Sequence, residues 1–154
     1  MRIENILREM IKVGNDRMKI EVLLEETSKL IEPVISALTQ KYGEPIGQGK
    51  DRIVFARGRV VIKVPKSESG VCANYQEKKK FDESMKDTDH STRIYAKCRL
   101  VHYRDVPLLV MERLKPVKYS EIKAGGLPDW AWKVDALQVG HNKKGKMKAF
   151  DYAD

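Results

Sequence analysis

The fold is decided by two neighbouring stretches of chain, Ile46-Gly47-Gln48-Gly49-Lys50-Asp51-Arg52-Ile53-Val54-Phe55 and Val60-Val61-Ile62-Lys63-Val64. Valine and isoleucine dominate the end of the first stretch and nearly all of the second, a composition that favours β-strands. Arg57-Gly58 lies between them as a turn. The sequence therefore predicts a hairpin of two strands, Arg52–Ala56 and Arg59–Val64.

The hairpin carries two features that point to chemistry. Gly47 and Gly49 precede it, and glycines let backbone N–H groups approach phosphate oxygens that a Cβ would obstruct. Lys63 stands among aliphatic residues, where its charge is costly to bury unless an anion matches it. A phosphate and a carboxylate are the natural matches. Glu77, on the helix predicted after the strand, is the candidate carboxylate, although it is also one of several acids on that segment.

The first forty residues show the spacing of an amphipathic helix. Apolar residues recur at helical intervals from Ile3 to Leu38, with a break at Gly14-Asn15-Asp16 and a kink or restart at Pro33. A basic residue and a glycine in Lys41-Tyr42-Gly43 suit a helix end. We expect a helical segment over residues 1–43 that packs its apolar face on the following sheet, the alternative being an arm that binds a partner.

The rest of the chain alternates polar and strand-like segments. Ser67 to about Lys86 is compatible with a helix, Ala96–Tyr103 and Pro107–Met111 read as strands, and Met147–Phe150 reads as a short strand after a turn at Lys143–Lys146. The predicted class is α+β. We expect an antiparallel sheet with one inserted helix, N-terminal helices and a much reduced C-terminal part. Residues 44–154 are predicted to form a domain that makes a single compact unit with the helical segment over residues 1–43.

The composition of the chain excludes several classes of protein. The chain has 154 residues, 42% of them hydrophobic, which suits one domain with a modest core and argues against wholesale disorder. No run approaches about twenty apolar residues, which excludes a membrane helix, and the N-terminus lacks the apolar run of a secretory signal. Two cysteines, Cys72 and Cys98, are too few for a disulfide framework and indicate reduced thiols in a cytoplasmic protein.

The net charge of +8 does not by itself identify a binding partner of the protein. Lys78-Lys79-Lys80 and Lys143-Lys144-Gly145-Lys146 are the densest basic runs, and such runs attract nucleic acid, nucleotides or acidic proteins. They are equally compatible with a solvated helix face and a solvated turn. No zinc-finger, RNA-recognition or basic-zipper pattern accompanies them.

Oxygen-bearing side chains gather near the C-terminal end of the sequence. Asp135, Asn142 and Asp151 are of the kinds that Mg²⁺ prefers, and an Asn and an Asp facing each other across a turn supply two such oxygens. Met111 and Glu112 end an apolar strand whose backbone groups can meet an adenine edge. Taken singly, each of these residues also has an ordinary structural explanation.

Together these motifs resemble the protein-kinase-like fold, specifically its small N-terminal lobe. Gly47-Gln48-Gly49 resembles the glycine-rich loop, Val61-Ile62-Lys63 the third strand with its lysine, and Glu77 the acid of the following helix. Val110-Met111-Glu112 resembles the hinge, and Phe150-Asp151-Tyr152-Ala153 is similar to the metal-binding Asp-Phe-Gly region. The order along the chain agrees, and the resemblance covers roughly Glu44 to Asp154.

The resemblance implies a binding site for ATP and Mg²⁺ and gives each motif a role. The glycine loop would cover the phosphates, Lys63 would contact the α- and β-phosphates while paired with Glu77, and the hinge strand would meet the base. The resemblance implies that the nucleotide is contacted by Gly47, Gly49, Lys63, Glu77, Met111 and Glu112. It implies that Mg²⁺ is held by Asn142 and Asp151. Asp135 would be the catalytic base that accepts the proton of a substrate hydroxyl, with Lys63 as the other catalytic residue.

The sequence also departs from the kinase pattern. Arg52 stands near the place of the third glycine, and no His-Arg-Asp occurs, Val134-Asp135-Ala136 being its nearest counterpart. Asn142 lies seven positions after Asp135, whereas the pattern places it five after. Little sequence remains for an activation segment or a helical substrate lobe. Such a reduced form would suit a viral or mobile-element protein.

Three functions of different classes follow from these observations. The first is a minimal ATP-dependent phosphotransferase that acts on a protein or small hydroxyl substrate. The second is a pseudokinase-like module that binds and regulates a protein partner. The third is a basic protein that binds nucleic acid through its lysine runs.

Overall fold

The computed structural model describes residues 17–89 and 93–152, apart from the side chains of residues 17–20 and of Asp135. Three α-helices and eight strands make up the described chain. Their order is α1 (Arg17–Tyr42), β1 (Gly47–Gln48), β2 (Arg52–Arg57), β3 (Val60–Pro65), α2 (Glu68–Lys86), β4 (Cys98–Tyr103), β5 (Val106–Glu112), β6 (Lys115–Pro116), α3 (Tyr119–Lys123), β7 (Val139–His141) and β8 (Met147–Ala149). Two short 3₁₀ turns, Asp129–Lys133 and Asp135–Leu137, precede β7.

The main sheet has five antiparallel strands in the order β1-β2-β3-β5-β4, with α2 inserted between β3 and β4. The register aligns Gly47 with Val54 and Val54 with Lys63. Neighbours in register point to the same side of a sheet, so these three residues form one row across three strands. This row positions the candidate site described below.

Helix α1 covers part of this sheet with its apolar face. Ile31, Val34 and Leu38 are buried together with Phe55 of β2 and Val64 of β3. Their spacing of three and four residues places them on one side of the helix. The packing predicted for this segment is therefore confirmed over the part that the structure describes. Gly14–Asp16, the predicted break, lies outside the described residues.

Pro33 lies inside α1, which continues through it from Arg17 to Tyr42 as one helix. Proline removes one backbone donor and disfavours a helix interior. Of the two predicted alternatives, the restart is therefore wrong, and the kink stays a prediction. Burial of Ile31 and Val34 on either side of Pro33 gives the helix tertiary support that its sequence alone does not reveal.

Helix α2 begins against the turn that follows β1. A Cβ at Gly70 would lie 2.2 Å from the carbonyl oxygen of Asp51 and 2.8 Å from the Cα of Pro65. The Ser69 hydroxyl also donates to the Asp51 carboxylate at 2.8 Å. Glycine at position 70 thus permits the first turn of the helix to lie directly on the loop between β1 and β2.

A second, smaller sheet of the order β6-β7-β8 lies beyond β5. Backbone hydrogen bonds join it to the segment before β4, from Ala149 N–H to Ile94 O at 2.7 Å and from Ala96 N–H to Ala149 O at 2.8 Å. A core cluster that includes Leu109, Met111 and Val139 fills the space between the two sheets. Residues 150–152 leave β8 at the base of this cluster.

The α+β class with an antiparallel sheet and one inserted helix is confirmed. The predicted strands correspond to β2, β3, β4, β5 and β8, with ends that shift by one or two residues. The predicted division into segments 1–43 and 44–154 stays a prediction. In the residues described, no helix is long and apolar enough to span a membrane.

Candidate functional site

The predicted ion pair between Lys63 and Glu77 is present at the centre of the molecule. The Lys63 ammonium, on β3, donates to Glu77 Oε2 at 2.9 Å and to Oε1 at 3.1 Å. Lys63 is 5% exposed and Glu77, on α2, is fully buried. The ammonium also donates to the carbonyl of Phe150, next to Asp151. The pair therefore fixes β3, α2 and the segment after β8 to one another.

Arg52 enlarges this pair into a cluster of four charges. Its guanidinium, on β2, donates to Glu77 Oε1 at 2.7 Å and to Asp151 Oδ1 at 2.8 Å. Two cations, Arg52 and Lys63, thus face two carboxylates, Glu77 and Asp151, and the formal charges cancel. Each charge in the cluster has an oppositely charged partner and hydrogen bonds, and this compensates for the free energy lost when ions are removed from water.

Two neutral groups complete the cluster. The Asn74 carboxamide is fully buried; its oxygen accepts from Arg52 at 3.2 Å, and its nitrogen donates to the carbonyls of Lys63 at 3.1 Å and Pro107 at 3.0 Å. The backbone N–H of Tyr152 donates to Glu77 Oε1 at 3.1 Å. Each oxygen of Glu77 therefore has at least one donor, which is what a buried carboxylate requires.

The environment shifts the pKa values of the cluster in different directions. Burial lowers the pKa of Lys63 although Glu77 opposes it. Burial acts to raise the pKa of Glu77, but the Arg52 hydrogen bond and the Lys63 charge outweigh it, so that pKa lies below its ordinary value. Burial raises the pKa of Asp151. Glu77 is therefore held as a carboxylate, and Asp151 takes a proton more readily.

A cleft of about 360 Å³ opens beside this cluster. One wall is the row of Gly47, Val54 and Lys63 across β1, β2 and β3, and Val61 lies on the same face of β3 two residues from Lys63. The segment after β5 and the residues around β7 and β8 supply the opposite wall, namely Glu112, Arg113, Leu114, Pro116, Gln138, Phe150 and Asp151. The volume is within the range of small-molecule sites, ~300–1,000 Å³.

The two glycines of the predicted loop, Gly47 and Gly49, lie at different positions relative to the cleft. Gly47 lines the cleft, and a Cβ built there would meet no atom within 4 Å. Its backbone is not in the left-handed region, so packing within the protein does not demand a glycine at position 47. Gly49 lies in the turn beside the cleft, where its N–H donates to Arg52 O at 2.9 Å and its carbonyl accepts from the Lys66 ammonium at 3.2 Å.

The two predicted hinge residues, Met111 and Glu112, also lie in different surroundings. Met111 is 1% exposed and packs in the core beneath the cleft, because β3 and β4 flank it on both sides. Glu112 lines the cleft, and its carboxylate accepts the backbone N–H of Lys97 at 3.0 Å. Arg113 and Leu114 continue the cleft wall beyond the strand end.

Asn142 and Asp151, the predicted metal ligands, are not brought together. Asp151 lines the cleft with 41% of its side chain exposed, whereas Asn142 opens the turn between β7 and β8. That turn lies three residues from the Val139–Ala149 pair, roughly 10 Å along the hairpin. The Asn142 carboxamide oxygen accepts the backbone N–H groups of Lys144 at 3.0 Å and Lys146 at 2.9 Å. It is therefore a turn-capping side chain.

Gln138, unlike Asn142, lines the same cleft as Asp151. The backbone carbonyl of Gln138 accepts the backbone N–H of Phe150 at 3.0 Å. A carboxylate and a carboxamide oxygen on one cleft fit Mg²⁺, which takes few protein ligands and retains water and substrate phosphates. Among the described residues, no group of three or more His, Cys, Asp or Glu side chains is arranged to hold a metal by itself.

Asp135, the predicted base, lies in the 3₁₀ turn Asp135–Leu137, and its side chain is outside the described part of the structure. The two residues after it, Ala136 at φ 50° and Leu137 at φ 51°, both occupy the left-handed region. This conformation is strained for residues with a Cβ, and such strain concentrates at functional sites. The strained pair leads directly into Gln138 on the cleft wall.

Several residues of the site were not identified as such from the sequence. Arg52 was noted only as a departure from the glycine pattern, and Asn74 and Gln138 were not singled out. A signal for Arg52 did exist, since an arginine that begins an apolar strand needs a partner if it is buried. Asn74 and Gln138 had no comparable signal, because each is one polar residue in a polar segment.

Comparisons with known proteins give the chain no relative. No protein-family model matches it, no curated protein matches it, and no solved structure matches it.

Proposed function

We propose that this protein binds ATP together with Mg²⁺ in the cleft beside Lys63, in the manner of a protein-kinase-like nucleotide site. The observation that carries the proposal is the Lys63–Glu77 ion pair at 2.9 Å, because Lys63, a residue that is 5% exposed, lies on the wall of a cleft of about 360 Å³. A lysine fixed in this way presents a positive charge to a phosphate at a defined place. Phosphoryl-transfer proteins use such a lysine and acid pair for the same purpose.

The distribution of chemistry along the cleft supports a nucleotide. Lys63 and Asp151 are the charged groups suited to phosphates and their counterion. Ile46, Val61 and Leu114 add apolar surface that suits a planar base, and Glu112 and Arg113 also line the cleft. Gly47 adds backbone without a side chain beside the phosphate end, where close approach is useful.

Asp151 and Gln138 are the residues that would hold Mg²⁺. The ion, when bound, neutralises charge on the phosphate oxygens. Arg52 holds the Asp151 carboxylate through one oxygen, Oδ1, at 2.8 Å, and within residues 17–89 and 93–152 no hydrogen bond reaches the other oxygen. Arg52 therefore orients Asp151 toward the cleft and leaves it an oxygen for a cation. The predicted role of Asn142 passes to Gln138 in this proposal.

Transfer of the γ-phosphoryl group to a protein hydroxyl stays a prediction that extends this proposal. Asp135 remains the candidate base, and its side chain is outside the described residues. Consumption of ATP by the parent protein, lost in Asp151→Ala, would support a phosphotransferase. Binding of ATP without consumption would support the pseudokinase-like alternative.

The binding proposal is tested by thermal unfolding with and without ATP and Mg²⁺. A ligand at about 100 times its dissociation constant stabilises the native state by about 2.7 kcal/mol, which corresponds to roughly 5–10 °C for a chain of this size. We expect Lys63→Met to lose this shift relative to its own baseline. The matched control is Lys29→Met, on the exposed face of α1, which should keep it. No shift of the parent at millimolar ATP, or an equal shift in Lys63→Met, would refute the proposal.

A further inference from the structure

A second cleft, of about 490 Å³, lies between the C-terminal end of α2 and the turn that joins β7 to β8. Phe81, Ser84 and Met85 of α2 form one side. The other sides carry six cationic side chains, Arg93, Lys97, Lys143, Lys144, Lys146 and Lys148. Glu112 is shared with the nucleotide cleft and is the acidic residue that lines this one. Six positive charges against one negative leave a formal excess of +5 in one cavity.

The excess charge is not neutralised within the described part of the protein. None of the six cations forms an ion pair with residues 17–89 or 93–152, and the Nε of Arg93 is buried there without a hydrogen-bond partner. The Lys148 ammonium donates only to a backbone carbonyl, that of Arg93. Burial lowers the pKa of Lys148; the charge of Glu112 opposes this effect, and the like charges of Lys146 and Arg93 add to it. The cations therefore repel one another across the cleft.

The lysines of α2 behave differently. Lys78 pairs with Asp82, and Lys79 with Glu83 at 3.9 Å, both one helical turn apart. The Lys78–Lys80 run is thus a helix face with its own acids, as an ordinary solvated surface would be. The contrast separates the cations of the second cleft from the Lys78–Lys80 run, where Lys78 and Lys79 each have an acidic partner.

The turn that carries three of the lysines has a fixed backbone. Asn142 Oδ1 accepts the N–H groups of Lys144 and Lys146, and Asn142 N–H donates to the carbonyl of Lys146 at 2.8 Å. Gly145 supplies the positive φ, 75°, that closes the turn. Holding like charges close in this way costs stability in the free protein, and a bound anion would offset that cost.

The lining favours a compact anion over a strand of nucleic acid. Single-stranded nucleic acid is held by cations along a track and by aromatic rings on which bases stack. Here the Tyr95 ring already lies 4.4 Å from that of Tyr152, and Phe81 packs against the core. The cations converge on one cavity, which a nucleotide-sized molecule would fill.

We propose that this cleft binds a small anion that carries several phosphate groups. Arg93, Lys97 and Lys148, together with Lys143, Lys144 and Lys146 of the turn, would supply the positive charges. The site is separate from the nucleotide cleft and does not depend on it. It would make the protein responsive to a second phosphorylated ligand on the other side of Glu112.

The experiment measures binding of inorganic tripolyphosphate by calorimetry at low and moderate salt. The variant Lys143→Ala/Lys146→Ala removes two cations whose side chains make no recorded bond in the fold. We expect it to bind tripolyphosphate at least about tenfold more weakly, the loss of one or more charge-assisted hydrogen bonds. The matched control, Lys29→Ala/Lys79→Ala, removes the same charge from two exposed helix positions outside both clefts and should bind like the parent.

Three results would overturn the proposal. The first is no binding of tripolyphosphate by the parent at low salt. The second is an equal loss in both double variants, which would mean that net charge alone attracts the anion. The third is tighter binding of a single-stranded RNA oligonucleotide than of tripolyphosphate with the same loss in Lys143→Ala/Lys146→Ala, which would make the cleft part of a nucleic-acid surface. Retention of the ATP and Mg²⁺ thermal shift by that variant would show that the two sites are independent, as proposed.

Discussion

The Arg52 guanidinium lies 2.8 Å from the Asp151 carboxylate and joins two residues that are 99 positions apart in the chain. The same guanidinium nitrogen lies 2.7 Å from Glu77. Arg52 therefore connects β2, helix α2 and the segment that follows β8. Asp151 reaches the cleft because this contact fixes it there.

Arg52→Met should lower the free energy of unfolding by about 2–4 kcal/mol. The change leaves the buried Asn74 oxygen without its donor and removes one cation from two carboxylates, and breaking a buried charge pair is costly. Urea unfolding monitored by circular dichroism measures the difference. Arg59→Met is the control, because Arg59 is exposed beside the same hairpin and should change stability by no more than about 0.5 kcal/mol. Equal effects of the two changes would contradict the role given to Arg52.

Glu77 should make the stability of the protein sensitive to acid. Its pKa in the folded protein lies below the ordinary value of 4.5, because Arg52 and Lys63 outweigh the effect of burial. Its contribution is therefore complete above pH 4.5 and is lost as the pH falls through the lowered folded pKa. The free energy of unfolding of the parent should fall steeply over this acid window.

The matching variants are Glu77→Gln and Glu83→Gln, on the same helix. We expect Glu77→Gln to be less stable than the parent near neutral pH, and the difference to shrink as the pH falls below 4.5. Glu83→Gln changes an exposed acid and should follow the curve of the parent. Urea midpoints measured from pH 3 to pH 7 give all three curves. A constant difference between parent and Glu77→Gln would exclude the proposed linkage.

Gly47→Ala should weaken nucleotide binding without weakening the fold. A Cβ at position 47 meets no protein atom within 4 Å, so stability should change by no more than about 0.5 kcal/mol. The methyl group would enter the phosphate end of the cleft and reduce the ATP-dependent thermal shift. Gly70→Ala is the opposite control, since its Cβ would lie 2.2 Å from Asp51 O and should cost about 1–3 kcal/mol of stability. Normal ATP binding by a folded Gly47→Ala would remove the glycine loop from the site.

Gln138→Ala should reduce the Mg²⁺ dependence of the thermal shift with ATP. Gln138 lines the cleft with Asp151, and its removal takes away one of the two oxygen ligands proposed for Mg²⁺. Asn142→Ala should instead lower stability by about 1 kcal/mol through loss of its turn hydrogen bonds and leave the Mg²⁺ dependence intact. Titration of each variant with Mg²⁺ at fixed ATP distinguishes them. The reverse pattern would restore Asn142 as the metal ligand.

The local parts of the fold were predictable because their signals are local. Valine and isoleucine around Gly58 specify the hairpin of β2 and β3, and apolar periodicity specifies α1. The need of Lys63 for an anion was also predictable, because a lysine in an apolar strand is costly to bury unpaired. The next helix carries several acids, and Glu77 was the candidate among them. Strand and helix ends moved by one or two residues, since they depend on pairing partners elsewhere in the chain.

The tertiary structure decided which of the candidate residues meet. Asn142 and Gln138 are both polar residues near β7, and only the register of the β7–β8 hairpin places Gln138 on the cleft and Asn142 at the turn. Arg52 became part of the site because β2 lies beside β3 and under Asp151. Such contacts between distant residues leave no periodicity in the sequence.

The basic residues also show which properties the sequence determines and which depend on the tertiary structure. The sequence alone determined a net charge of +8 and two lysine runs of similar density. Folding separated them, because Lys78 and Lys79 meet acids one turn away on their own helix, whereas Lys143–Lys146 converge with Arg93 and Lys148 across a cleft. Charge and local propensity belong to the sequence, but whether a charge is paired or left to attract a ligand depends on what the chain brings beside it in space.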